Sequence, residues 1–147
     1  MPTLAQNKES KYNYDLLETY EAGLELLGSE VKSIRAGNVS LKGSFLSGHR
    51  GELWLKGMHV GPYAPAGEHN PKNPQRDRRV LVRKSEINRL RSKHESERLT
   101  IVPISLYTKG GLIKLKFALA RGKKQYEKRA TIKRRELDRE IQSRLRS

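Results

Sequence analysis

The 147-residue chain contains no cysteine. That absence excludes disulfide scaffolds, thiolate zinc sites, iron–sulfur clusters and cysteine nucleophiles together, and nothing calls for an oxidising compartment. Long apolar runs are missing as well. The opening Met1-Pro2-Thr3-Leu4-Ala5-Gln6-Asn7-Lys8-Glu9 lacks the apolar stretch of a secretion signal. No segment approaches the roughly 18 apolar residues that span a bilayer, so a soluble cytoplasmic protein without a membrane partner is expected. Acids are scarce: 16 stand against 31 lysines and arginines, a net charge of +15 with a pI near 10.3. A compact protein seldom carries such an excess without a polyanionic partner, and nucleic acid is the first candidate.

Catalytic constellations are lacking too. His49, His59, His69 and His94 have no second ligand at i,i+3 or i,i+4, and there is no His-Glu-x-x-His. Gly122-Lys123-Lys124 lacks the upstream glycine and the following Ser or Thr of a phosphate loop. The acids Glu18, Glu21, Glu25 and Glu30 read as a solvated face. The expectation is a protein that is not an enzyme and uses no metal or cofactor.

The size fits one domain. Residues 121–147 hold 11 basic and 4 acidic side chains, a net of +7, and beyond Leu119 the only aliphatics larger than Ala are Ile132, Leu137, Ile141 and Leu145. These cannot build a core. The division expected is a body over 1–120 and a basic tail over 121–147, disordered when free and helical in an anionic groove.

In the body, Ile113, Leu115, Phe117 and Leu119 alternate with Leu112, Lys114, Lys116 and Ala118, predicting a strand with one buried and one mostly wet face. Thr108-Lys109-Gly110-Gly111 joins it to the strand Leu99–Tyr107, where Pro103 requires an edge or a bulge. A second hairpin is predicted from Phe45 to Lys56, and a less regular strand from Tyr12 to Leu24. A short helix starts at an N-cap Ser29 and ends before Gly37, and another starts near Ser85 with Ile87 and Leu90 inward. Residues 61–74, with four prolines, read as a loop. The fold class is therefore mostly β: a small antiparallel OB-like Greek-key barrel with two or three helices and a basic C-terminal tail.

Three segments carry the binding chemistry. Arg76-Asp77-Arg78-Arg79-Val80-Leu81-Val82-Arg83-Lys84 interleaves cations with aliphatics, so its arginines are candidates to fork onto phosphates. Lys32 and Arg35 of the first helix are further RNA-contact candidates. Arg121 to Arg129 sets Tyr126 among five cations, where a ring can stack on a base. The stripe Leu137, Ile141, Leu145, supported by Glu136–Arg139 and Glu140–Arg144 pairs, is marginal alone but suits a helix formed in a groove.

Several runs together resemble the SmpB family of transfer-messenger RNA-binding proteins. They are Asn7-Lys8 ahead of Tyr14, Tyr20-Glu21-Ala22-Gly23-Leu24, Gly28-Ser29-Glu30-Val31-Lys32-Ser33-Ile34-Arg35-Ala36-Gly37, Arg78-Arg79-Val80-Leu81-Val82, Glu86-Ile87, and Gly122-Lys123-Lys124-Gln125-Tyr126-Glu127-Lys128-Arg129. The resemblance implies an RNA-binding adaptor of trans-translation, in which Asn7, Glu21, Leu81 and Arg83 meet the tRNA-like domain of the RNA. It further implies that the tail enters the decoding site and empty mRNA channel of a stalled ribosome. Gly122, Lys123, Lys124, Tyr126, Glu127, Lys128, Arg129, Lys133, Arg134, Arg135, Leu137, Ile141 and Leu145 would then meet the ribosome. Elongation factor Tu and alanyl-tRNA synthetase would be reached through the RNA, by a monomer. Tyr12 and Tyr126 stand where the family often has His, and Arg83 where it often has a small amide. The alternative from another class is a structural ribosomal protein bound to ribosomal RNA.

Overall fold

The computed structural model describes residues 3–123 and 125–146, without the side chains of 125–128, 130–132 and 144–146. In chain order the elements are β1 (Thr3–Gln6), α1 (Ser10–Asn13), β2 (Tyr14–Leu24), α2 (Gly28–Arg35), β3 (Val39–Ser40), β4 (Phe45–His49) and β5 (Glu52–Lys56). There follow β6 (His59–Val60), a 3-10 turn (Ala64–His69), β7 (Arg78–Leu81), α3 (Lys84–Glu97), β8 (Thr100–Lys109), β9 (Leu112–Gly122) and α4 (Gln125–Arg146).

Both expected hairpins are present. Arg50-Gly51 turns β4 into β5 and Gly110-Gly111 turns β8 into β9, and all four residues have positive φ, between 52° and 78°. Two successive left-handed residues match the right-handed twist of the flanking strands. Seven strands form one antiparallel sheet in the order β1-β8-β9-β2-β7-β5-β4, and β3 pairs with β6. Strands distant in sequence thus lie side by side, as in a Greek key rather than a meander. Edge strand β4 comes round against β8, which curls the sheet into a small barrel. Ile113, Leu115, Phe117 and Leu119 all point into the core with Leu55, Leu106 and Ile34. Each such burial contributes about 1.5–3 kcal/mol.

Pro103 sits where the pairing of β8 with β9 slips between Pro103 and Ser105, a bulge that absorbs its missing donor. β1 is too short to show alternation and forms by docking on β8. Tyr12 lies in the single turn α1 rather than in β2. Ser29 does not cap α2. Leu27 occupies the cap position, its N–H donates to Glu30 Oε1 at 2.9 Å, and Ser29 Oγ is buried without a partner. Arg98, in the left-handed conformation, ends α3. His94 Nδ1 lies 2.5 Å from the Leu99 carbonyl, a structural role for that ring. In the proline-rich loop, Asn70 braces Tyr63 from both sides, accepting its N–H and donating to its carbonyl at 2.9 Å each.

The boundary drawn at residue 120 falls inside β9, which continues to Gly122 opposite Tyr14. Beyond it α4 is a 22-residue helix. Its described side chains are all exposed, Leu137 by 56% and Ile141 by 47%. It approaches the body at α1, where Arg135 Nη2 lies 3.5 Å from the Lys8 carbonyl.

Candidate nucleic-acid interface

The alternation that buries one side of β9 presents Lys114 and Lys116 on the other. Register carries this outer face across the sheet. Gln6 pairs with Ser105, Ser105 with Lys116 and Lys116 with Glu21, a row across four strands. The next row runs from Tyr107 through Lys114 and Gly23 to Leu81. Leu81 is 48% exposed and its Cδ1 would lie 3.5 Å from a Cβ placed on Gly23. Past β7 the face continues with Arg79, opposite Trp54 of β5.

Glu21 is the acid set among the lysines of β8 and β9 on this face. Its Oε2 accepts the Tyr107 hydroxyl, and Lys109 Nζ donates to Oε1 at 3.2 Å and Oε2 at 3.4 Å. Tyr107 hydrogen bonding first, then Lys109, holds the Glu21 carboxyl below its ordinary 4.5. Tyr107 itself is pushed up to about 12, by burial and then by the Glu21 carboxylate. Arg79 is exposed and paired loosely with Glu52 at 3.5 Å and Glu25 at 3.7 Å. Arg83 is exposed at the N-cap of α3. Arg35 of α2 donates to the Gly111 carbonyl in the β8–β9 turn, at the rim of the face.

Asn7 follows Gln6 and so stands one residue beyond the first row, about 14 Å from Glu21 at three strand spacings. Its Nδ2 donates to the Pro103 carbonyl at 3.0 Å and its N–H to the Ile104 carbonyl at 2.7 Å. The bulge at Pro103 and Asn7 therefore hold one another. Lys32 lies elsewhere, with Nζ 5.6 Å from the centroid of the Tyr63 ring.

One expected contact is corrected. Arg78 is 0% exposed and Glu30 is 1% exposed, and Arg78 Nη2 meets Glu30 Oε2 at 2.5 Å. Arg78 also donates to the carbonyls of Met58 at 2.7 Å and Pro74 at 3.0 Å. A guanidinium enclosed in this way cannot reach a phosphate; it ties β7 to α2 and the proline-rich loop. Arg76, half-buried, clamps the same carboxylate. Burial pushes Glu30 up, but the hydrogen bonds from Arg76, the Leu27 N–H and Arg78 outweigh it and hold its pKa below the ordinary value. The interleaved arginine pattern could not distinguish Arg78 from Arg79, because strand alternation sends neighbours to opposite faces.

Sequence reasoning also missed Tyr107, Lys109, Lys114 and Lys116 as members of the face. Their signal was the wet side of the β8–β9 hairpin, which joins one continuous outer face only when register sets it beside Glu21 and Leu81.

At the C-terminal side, Lys123 donates from its backbone to the Asn13 carbonyl and from Nζ to the Lys11 carbonyl, each at 2.8 Å. Arg129, Lys133, Arg134 and Arg135 are exposed along α4. Lys124 and the side chains of Tyr126, Glu127, Lys128 and Leu145 lie outside the described residues. Among the described residues no cluster of three or more His, Asp or Glu could hold a metal, and no helix is long and apolar enough to cross a membrane.

Comparison with known proteins gives a consistent picture. An SsrA-binding protein of Oleidesulfovibrio alaskensis is 47% identical over 137 residues, 93% of this chain and 88% of the relative. One of Desulforudis audaxviator is 49% identical over 139 residues, 95% and 90% of the two chains. A solved structure described as "tmRNA-SmpB: a journey to the center of the bacterial ribosome" matches with a TM-score of 0.65 and 43% identity, covering 82% of this chain and 84% of that one. The family model for the SmpB protein matches residues 4–147, and the chain belongs to that family.

Proposed function

We propose that the chain is an RNA-binding adaptor of trans-translation. Its outer sheet face grips the tRNA-like domain of transfer-messenger RNA and brings the aminoacylated RNA to stalled ribosomes. Helix α4 then takes the place of a codon–anticodon helix in the decoding site and extends along the empty mRNA channel. The observation that carries this is the outer face. Lys109, Lys114, Lys116, Arg79 and Arg83 supply phosphate contacts, and Leu81 and Glu21, held at its centre, supply contacts that a phosphate backbone alone would not need. The described side chains of α4 bury nothing in the barrel, which suits a segment that takes its partner from elsewhere. Asn7, Glu21, Leu81, Arg79 and Arg83 are assigned to the RNA and the exposed cations of α4 to the ribosome, with Leu137 and Ile141 facing the channel. No step of bond chemistry is assigned to the protein. Its place of action is the cytoplasm, where ribosomes are, and elongation factor Tu and alanyl-tRNA synthetase meet it through the RNA.

The test is to purify the full chain under mild salt and sequence the bound RNA. One enriched species with a tRNA-like end, present well below one copy per ribosome and removed by high salt, is the expected result. A protein retained at one copy per ribosome after high-salt washing would instead indicate a structural ribosomal component.

A further inference from the structure

Glu21 stands on β2 and Tyr107 on β8, with β9 between them. The two side chains reach across β9 from either side and meet above it. A glutamate on an exposed face ordinarily samples many rotamers, and fixing it costs side-chain entropy. Here the hydroxyl of Tyr107 occupies Oε2 and Lys109 bridges both oxygens. A carboxylate offers about four acceptor positions, so lone pairs remain on its open side. What can use them is a neutral donor on the RNA, and of these only a nucleobase N–H differs with sequence, since every ribose carries the same 2′-hydroxyl. A phosphate is repelled, and water offers no selectivity. The facing groups are Tyr107 and Lys109 of β8 and Lys114 and Lys116 of β9, and Lys109 and Lys114 favour the ionised carboxylate. Tyr107 remains a protonated donor throughout the physiological range, because burial and Glu21 both push its pKa upward.

We propose that Tyr107 is a positioning residue for RNA selectivity: it fixes the Glu21 carboxylate, ionised and preorganised, to accept from a nucleobase amino group while the surrounding lysines hold phosphates. The inference rests on the RNA-binding function proposed above and adds the device by which one acid in a basic field discriminates. Base readout then depends on a hydroxyl that never touches the RNA.

The test uses the full chain as wild type, Tyr107→Phe, Glu21→Gln and the double variant. Binding is measured to the tRNA-like domain of transfer-messenger RNA and to an unrelated hairpin of equal length, from about pH 4.5 to 7.5. Tyr107→Phe keeps the ring, so its melting temperature should match wild type. It should lose about tenfold on the tRNA-like RNA, the scale of one charge-assisted hydrogen bond, and nothing on the hairpin. In the Glu21→Gln background the same change should have no further effect. Selectivity should persist to lower pH in wild type than in Tyr107→Phe, because without the hydroxyl the Glu21 carboxyl returns toward its ordinary 4.5. Lys116→Met, by contrast, removes a cation that does not bond the carboxylate and should weaken both RNAs alike. Equal binding by Tyr107→Phe and wild type, equal loss on both RNAs, or full additivity with Glu21→Gln would overturn the positioning role and leave the adaptor function standing. A wild-type protein with no preference between the two RNAs would overturn both.

Discussion

Glu30 holds together two parts of the chain that are far apart in sequence, the start of α2 and the start of β7. It accepts from the Leu27 N–H at the start of α2 and from Arg76 and Arg78 leading into β7. Removing one partner of a buried pair leaves the other charge uncompensated, at a cost of about 3–5 kcal/mol. Glu30→Ala should therefore destabilise the protein by that amount in urea melts, whereas Arg79→Ala, on the exposed side of the same strand, should change stability little. The pair also sets an acid limit. Because the folded-state pKa of Glu30 lies below its unfolded value of 4.5, its stabilisation is complete above pH 4.5 and is lost as pH falls through the folded value. Melting temperature followed downward from about pH 6 should begin to drop near pH 4.5, less steeply in Glu30→Gln.

Helix α4 has the length for independent action, and its described side chains are all exposed. Its 22 residues include the exposed Leu137 and Ile141, a stripe too narrow to stabilise a helix in water without a partner. Deleting residues 130–147 should leave melting and binding to the tRNA-like RNA nearly unchanged, yet abolish peptide tagging on a nonstop message with purified ribosomes. Arg139→Pro should imitate the deletion, since an interior proline costs a helix about 3 kcal/mol. Arg139→Ala should be mild in the same assay, and full tagging by the truncated protein would refute the division between body and tail. The β8–β9 hairpin behaves differently, because its turn delivers Lys109 to Glu21. Gly111, at φ 78°, should tolerate valine poorly, at about 1–2 kcal/mol.

For the whole molecule, the net charge of +15 makes RNA affinity a function of salt. If about four cations of the outer face meet phosphates, raising salt from 50 to 200 mM should weaken binding about 50- to 150-fold. A titration that is nearly flat over that range would show that the face is not the phosphate-binding surface.

Alternation in Leu112–Leu119, the glycine turns and the cation excess were enough to read a mostly β barrel that binds RNA, because period-two burial and charge are local properties of the chain. The family resemblance in its motifs supplied Asn7, Glu21 and Leu81 as candidates. Short β1 and the β3–β6 pair were not legible, since strands of four and two residues exist only by docking on something else. The fate of the arginines was not legible either. Arg76, Arg78 and Arg79 look alike in sequence, and only the barrel decides that Arg78 is enclosed with Glu30 while Arg79 faces out. The same holds for Glu21: its partners Tyr107 and Lys109 lie 86 and 88 residues away. Sequence determined which residues were charged and which faces alternated. Tertiary structure decided which charges were spent inside the fold and which were left for a partner, because burial and pairing depend on register between strands that are distant in the chain.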